Sequence, residues 1–307
     1  MKKAFEFFKS HSLLLVFIIT CIIFSVASPS FLTVGNIRDV VRTNSISGLL
    51  AVGLTYVILS GGIDLSVEST ACLAGLVAGH LSHMPFVAVI AGIAVGAVIG
   101  LLNGVILDRS GVQPFIFTLA MSRCVRGLVL AVTKGKNLYT IDSRFTSIVK
   151  FDLAGIPMLV IMFICIVIIT YLALNKSKYG RYVYSVGSNE EASRLSGIRT
   201  SRIKISTYLI SGILAALAGV LLTSRLAGAE TNAAEGWSLD AVSMVIIGGT
   251  SLRGGSGGIL NTLLGIFLMS VLDNGMTLLG VPTSYNQLIK GLLMVIAVLL
   301  DISNRKK

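Results

Sequence analysis

About ten apolar runs follow one another along this chain, and each is a candidate to cross a bilayer as a helix. They occupy residues 13–27, 46–60, a third piece ending near residue 81, then 86–107, 114–132, 153–174, 205–226, 239–247, 259–279 and 288–300. No other feature limits the possible folds so tightly. Inside hydrocarbon every backbone N–H and C=O must find a partner within the protein, so only helices and closed barrels span. A barrel would show short alternating strands, which are missing here. Soluble domains carry about 25% charged residues, whereas this chain carries 13% and is 54% hydrophobic. The expected fold is an all-α membrane protein of about ten transmembrane helices, residues 1–307 forming one membrane domain. The net charge of +11 does not point to nucleic acid. Its basic residues cluster at the ends of the apolar runs, where cytoplasmic loops collect them.

The polar island at 175–204 fixes the orientation. It holds Lys176, Lys178, Arg181, Arg194, Arg199, Arg202 and Lys204, which marks it as cytoplasmic. Lys2, Lys3 and Lys9 at the start, Arg109, Arg253, and Arg305, Lys306 and Lys307 at the tail fall on the same side if the crossings are ten, so both termini are expected in the cytoplasm. Ser25-Val26-Ala27 has the small-x-small form of a signal-cleavage site, but an uncleaved first span with a basic flank looks the same and is the expectation. Within the island, Ser188 and Glu191 have the spacing of a capping box. Glu190 and Glu191 suit the positive end of a helix dipole, and Gly197 stands where a left-handed residue would end the helix. A helix of about two turns does not hold together alone in water. Ala192, Leu195 and Ile198 therefore lie either on the chain's own membrane domain or in a groove on a partner.

Two glycine-rich breaks interrupt the apolar runs: Leu59–Ser69, reading LSGGIDLSVES, and Ile247–Gly258, reading IGGTSLRGGSGG. Gly61-Gly62 and Gly248-Gly249 each end an even-numbered run, and each is followed at the same distance by a leucine, Leu65 or Leu252. This suggests a parallel internal repeat with broken helices and a site where its copies meet. Gly212, Ala215, Ala216 and Gly219 provide a small-residue face for close helix contact.

Ionisable groups inside apolar runs are functional candidates. Asp64 suits a cap for the third run, and Glu68 one turn further either caps with it or lines a polar cavity. Ser66 and Ser251 have no histidine at a plausible depth to serve as nucleophiles. Arg126 either pairs with an acid, binds a hydroxylated solute through its fork of donors, or reaches the outer surface. Asn103 offers the neutral donor and acceptor that a sugar hydroxyl or a neighbouring helix needs. Cys21, Cys72, Cys124 and Cys165 read as small hydrophobes, and His11, His80 and His83 are too scattered to hold a metal. Trp237 is expected as an interfacial anchor. No GxxxxGK[ST] loop is present, nor HExxH or GxSxG, so neither ATP in the P-loop manner nor hydrolysis is expected of this chain.

Three stretches together resemble a known family: LSGGIDLSVES, GSNEEASRLSGI (residues 187–198) and IGGTSLRGGSGG. They are similar to the inner-membrane permease subunits of bacterial ATP-binding-cassette importers for monosaccharides of the ribose, xylose and arabinose type. The likeness covers nearly the whole chain. It implies a coupling helix for a separate ATPase, with Gly187, Asn189, Ala192 and Gly197 matching the family's docking pattern; Ser188, Glu190, Glu191 and Leu195 belong to the same capped segment. The glycine breaks together with the polar and ionisable residues read above make Gly61, Gly62, Asp64, Ser66, Glu68, Asn103, Arg126, Gly248, Gly249 and Ser251 the candidates for the pathway or gate. ATP and magnesium would sit on the ATPase subunits. A second permease copy or paralogue, a periplasmic sugar-binding protein and membrane lipid would complete the assembly, with no nucleic acid. One departure stands out: the family pattern has glycine where this chain has Glu68. Two readings from other classes remain: a self-sufficient ion-coupled transporter using Asp64 and Glu68, and a membrane enzyme.

Overall fold

The computed structural model describes residues 12–153 and 155–304. The terminal basic residues Lys2, Lys3, Lys9, Arg305, Lys306 and Lys307, together with His11, lie outside the described residues. In chain order the helices are α1 Ser12–Ala27, α2 Val34–Leu59, α3 Val67–His80, α4 Pro85–Ser110, α5 Pro114–Thr133 and α6 Ser143–Lys150. A minimal antiparallel hairpin follows, β1 Asp152–Leu153 with β2 Ile156–Pro157. Then come α7 Met158–Asn175, α8 Lys178–Ser188, α9 Glu190–Leu195, α10 Thr200–Leu226, α11 Trp237–Ile247, α12 Ile259–Leu278 and α13 Thr283–Asn304. Six helices, α2, α4, α5, α7, α10 and α12, are long and apolar enough to cross a membrane, while α1, α11 and α13 carry shorter apolar stretches.

Three stretches outside the apolar runs hold more helix than hydropathy shows. The polar stretch at 28–45 is not all loop, because α2 already begins at Val34, capped by Thr33 through the Asn36 amide. Arg38, Asp39 and Arg42 depress local hydropathy without breaking the helix. The loop at 133–152 holds a helix of its own, α6, whose Asp142 cap accepts from the Arg144 amide. The island contains two helices rather than one, since α8 precedes the short α9.

Helix α10 sits at the centre, packed against α2, α3 and α4. Its contact with α4 is backbone on backbone. A methyl added at Gly96 would stand 2.1 Å from the Gly212 carbonyl oxygen, and one at Gly212 would stand 2.2 Å from the Gly96 oxygen. Ala215 and Ala216 are fully buried, and Gly219 lies against the Ala71 carbonyl of α3. Lipid is as apolar as leucine, so close van der Waals approach of this kind is what holds such helices together. The outer faces are the reverse. Val87, Ile90, Val98 and Leu101 of α4, and Ile164, Ile168, Ile169 and Leu172 of α7, stand exposed. In water so much apolar surface would mark a binding patch; on a multi-pass membrane protein it is the face that lipid covers.

Gly212→Val is expected to cost about 1–3 kcal/mol or more, because the α4 backbone leaves the added methyls no room. The thermal midpoint in detergent should fall by roughly 2–10 °C. Gly127→Ala, with nothing within 4 Å of the new methyl and helix propensity on its side, should not lower it.

Candidate functional site

Both glycine breaks end their helices with the same hydrogen bonds. At the end of α2, Gly61 N donates to Ile58 O and Gly62 N to Val57 O; at the end of α11, Gly249 N donates to Ile246 O and Thr250 N to Val245 O. These are the paired bonds of a Schellman terminus. The residue that must be left-handed is Gly61 in one case, at φ 86°, and Gly249 in the other, at φ 94°. The structural equivalence is therefore shifted by one from the spacing in the sequence. Gly61 matches Gly249, and Asp64 rather than Leu65 matches Leu252. Helix α12 seats itself against the second break, where a methyl on Gly248 would stand 2.3 Å from the Asn261 carbonyl oxygen.

Past the first break, the chain is held by a buried polar hub. Asp64 is 1% exposed. Its Oδ1 accepts from Ser66 N at 3.0 Å, Ser66 Oγ at 2.6 Å and Asn103 Nδ2 at 3.5 Å, and its Oδ2 accepts from Ser211 Oγ at 3.1 Å. Asn103 Nδ2 also donates to Ser66 Oγ at 2.8 Å, which leaves Asn103 Oδ1 buried without a donor. Thr118 of α5 completes the brace, accepting from Leu65 N and donating to Ile63 O. Asp64, Ser66 and Asn103 are thus brought together, with Ser211 and Thr118 added by the fold. The residue preceding α3 is Ser66, and Asp64 fixes it through its amide and hydroxyl rather than capping the helix directly.

Glu68 and Arg126 act on a different segment, the loop leading into α11. Glu68 Oε2 accepts from Gly236 N at 3.0 Å, Ser238 N at 3.3 Å and Ser238 Oγ at 2.8 Å. Gly236, in the left-handed region, brings no side chain to cap α11. A carboxylate from α3 does so instead, placing negative charge at the positive end of the α11 dipole. Arg126 donates to the carbonyls of Thr231 at 2.7 Å and Ala233 at 3.3 Å, and to Cys72 Sγ at 3.2 Å. It is partly buried and, among the described residues, forms no salt bridge with an acid. Trp237, partly buried, packs against the main core.

In the island, Asn189 rather than Ser188 caps α9. Its Oδ1 accepts from Ala192 N at 2.9 Å, while Ser188 is the last residue of α8. The end of α9 is as expected: Gly197 is left-handed at φ 82°, and Gly197 N and Ile198 N donate to Arg194 O and Ser193 O. Ser193 Oγ meets Ser185 Oγ, and Glu190 pairs with Lys204 of α10. Leu195 is 83% exposed, and Ala192 and Glu191 also face outward. Tyr179 shares a hydrogen bond with Ser206 Oγ at 2.8 Å and Tyr184 donates to Gly257 O at 2.9 Å; burial pushes both phenols up, so they stay protonated. Ser251 Oγ accepts from Arg253 N inside the second break.

One cluster escaped the sequence reading. Lys290 of α13 bridges Asp240 of α11 at 3.0 Å and Asp273 of α12 at 2.9 Å. The rule that singled out Asp64 applies to Asp273 and Lys290 as well, since both interrupt apolar helices. Among the described residues no group of histidine, cysteine and acids could hold a metal ion.

The sequence model of the family described as branched-chain amino acid transport system / permease component matches residues 36–298. The ribose import permease protein RbsC of Bacillus subtilis is 41% identical, covering 94% of this chain and 90% of the relative. RbsC of Escherichia coli K12 is 39% identical, covering 96% and 93%. The L-arabinose transport system permease protein AraH of the same strain is 32% identical, covering 99% and 95%. No solved structure matches the chain.

Glu68→Ala would leave the Gly236 and Ser238 amides without their acceptor, at a cost of about 1–3 kcal/mol. Hydrogen exchange at those two amides should quicken, and Glu68→Gln should recover part of the protection.

Proposed function

This chain belongs to the branched-chain amino acid transport system / permease component family, and from that premise we propose that it is the membrane subunit of an ATP-binding-cassette importer for a monosaccharide or sugar-like solute. The observation that carries this reading is α9. A six-residue helix holds its backbone with a cap at each end, fastens its inner side to α8 and α10, and leaves Leu195 bare. An apolar side chain on a capped, tethered helix at the basic end of the bundle suits a groove on a second protein. Residues 187–197 are the coupling helix region in this proposal.

Ten crossings fit the path of the chain: α1 to α5, α7 and α10 to α13, with α3 and α11 as short pieces beside the breaks. Both termini then lie on the island side, and the basic island supports that side as the cytoplasmic one. The relatives named above are import permeases for ribose and arabinose, which supports a sugar as the solute. Without a P-loop in the sequence, ATP and magnesium belong to separate ATPase subunits. A second copy or paralogue would complete the pathway, and a periplasmic binding protein would deliver the solute. The ion-coupled alternative has no support. The relatives are import permeases, and Asp64 and Glu68 are both occupied by donors of this chain.

Leu195→Asp should leave folding intact, because the residue faces outward, and should weaken capture of the ATPase subunits by roughly 2 kcal/mol or more, about thirtyfold. Co-purification from detergent and uptake into proteoliposomes containing the ATPase and the binding protein read the effect. Uptake at full rate by this chain alone would refute the proposal.

A further inference from the structure

The three stretches that stand out in the sequence meet at one point. Gly187 lies in the last turn of α8, just before α9. A methyl added there would stand 1.8 Å from the Leu59 carbonyl oxygen at the end of α2 and 2.7 Å from Gly255 N in the loop between α11 and α12. Gly255 N donates to that same Leu59 oxygen at 2.9 Å. A methyl on Gly254 would stand 2.9 Å from both Gly187 O and Gly61 N, and one on Gly255 would press on Ser188. Three backbones thus touch with no side chain between them. Tyr184 adds a second grip one turn back, through Gly257 O.

A contact of this kind transmits displacement stiffly. Side chains can absorb a shift by changing rotamer, but packed backbones cannot give without moving as units. Whatever moves the α8–α9 corner must therefore move Leu59 and Gly255 as well. Leu59 leads through the Gly61 terminus to the Asp64 hub and α3. Gly255 lies between the Gly249 terminus of α11 and the start of α12.

We propose that this glycine junction hands movement of α9 to both broken helices at once, and that Gly187 is a positioning residue for transport. The proposal rests on the reading of α9 as the element an ATPase grips. It deepens that reading, because the route runs across the junction rather than only along the chain from α9 into α10.

The test uses the whole importer in proteoliposomes, with solute uptake and ATP hydrolysis measured together. Gly187→Ala is expected to keep the complex assembled and hydrolysing ATP while the solute moved per ATP falls at least tenfold. Gly219→Ala is the control, since its methyl would meet the Ala71 carbonyl oxygen at the same 1.8 Å but far from α9. It should lower the yield of folded protein and leave the ratio unchanged. An unchanged ratio in Gly187→Ala, or an equal loss in Gly219→Ala, overturns the proposal. If Gly187→Ala does not fold, a Ser188→Cys, Arg253→Cys pair in a Cys124→Ala, Cys165→Ala background decides. Bridging it with a short bis-thiosulfonate reagent, which joins the two thiols through reducible disulfides, should leave uptake intact because the two sides move together. Loss of uptake on bridging, restored by reduction, overturns the proposal. Failure of the unaltered chain to bind any ATPase would instead remove the functional reading itself.

Discussion

A helix that breaks inside an apolar bundle frees backbone groups that lipid cannot satisfy, and this chain breaks twice. The rest of the structure follows from how those groups are met. At each break a Schellman terminus takes up the released carbonyls, and it requires a left-handed glycine, Gly61 or Gly249. The last free carbonyl of α2, at Leu59, is taken by Gly255 from the other break. The amides entering α11 go to Glu68, and the turn into α3 goes to Asp64. Each break is completed by a residue from a distant part of the chain, so neither can shift alone.

These shared bonds leave the bundle with a closely packed centre. Helix α10 is locked backbone to backbone against α4 and α3. Around it, α11, α12 and α13 are joined by the Lys290 bridges, which tie the last three helices to one another. The short α9 is fastened on one side and open on the other. In the proposed function this arrangement acts as a lever: a partner biases the equilibrium only through contacts that differ between two states, and exposed Leu195 is the contact proposed for it.

Much of this was legible in the sequence. Hydropathy located the apolar runs, and the helix end at Gly197 followed from its glycine. What failed did so for local reasons. Ser188 and Asn189 are both good caps, and the choice fell to Asn189 because α8 runs on through Ser188. Arg38, Asp39 and Arg42 hid the first turns of α2. The role of Glu68 could not be read at all, because its partners Gly236 and Ser238 lie far along the chain. The motif stretches were visible as separate signals, but their meeting at Gly187 depends on tertiary approach that no spacing encodes. Lys290 and Asp273 carried a signal that a stricter search for ionisable residues in apolar runs would have caught.

The central claim is that the two breaks and the α9 corner move as one body. Hydrogen–deuterium exchange on the assembled importer, with and without ATP, tests it most directly. The account predicts that protection at residues 59–66, 187–198 and 248–258 changes together on nucleotide binding. A change confined to 187–198, with both breaks unaltered, would contradict it.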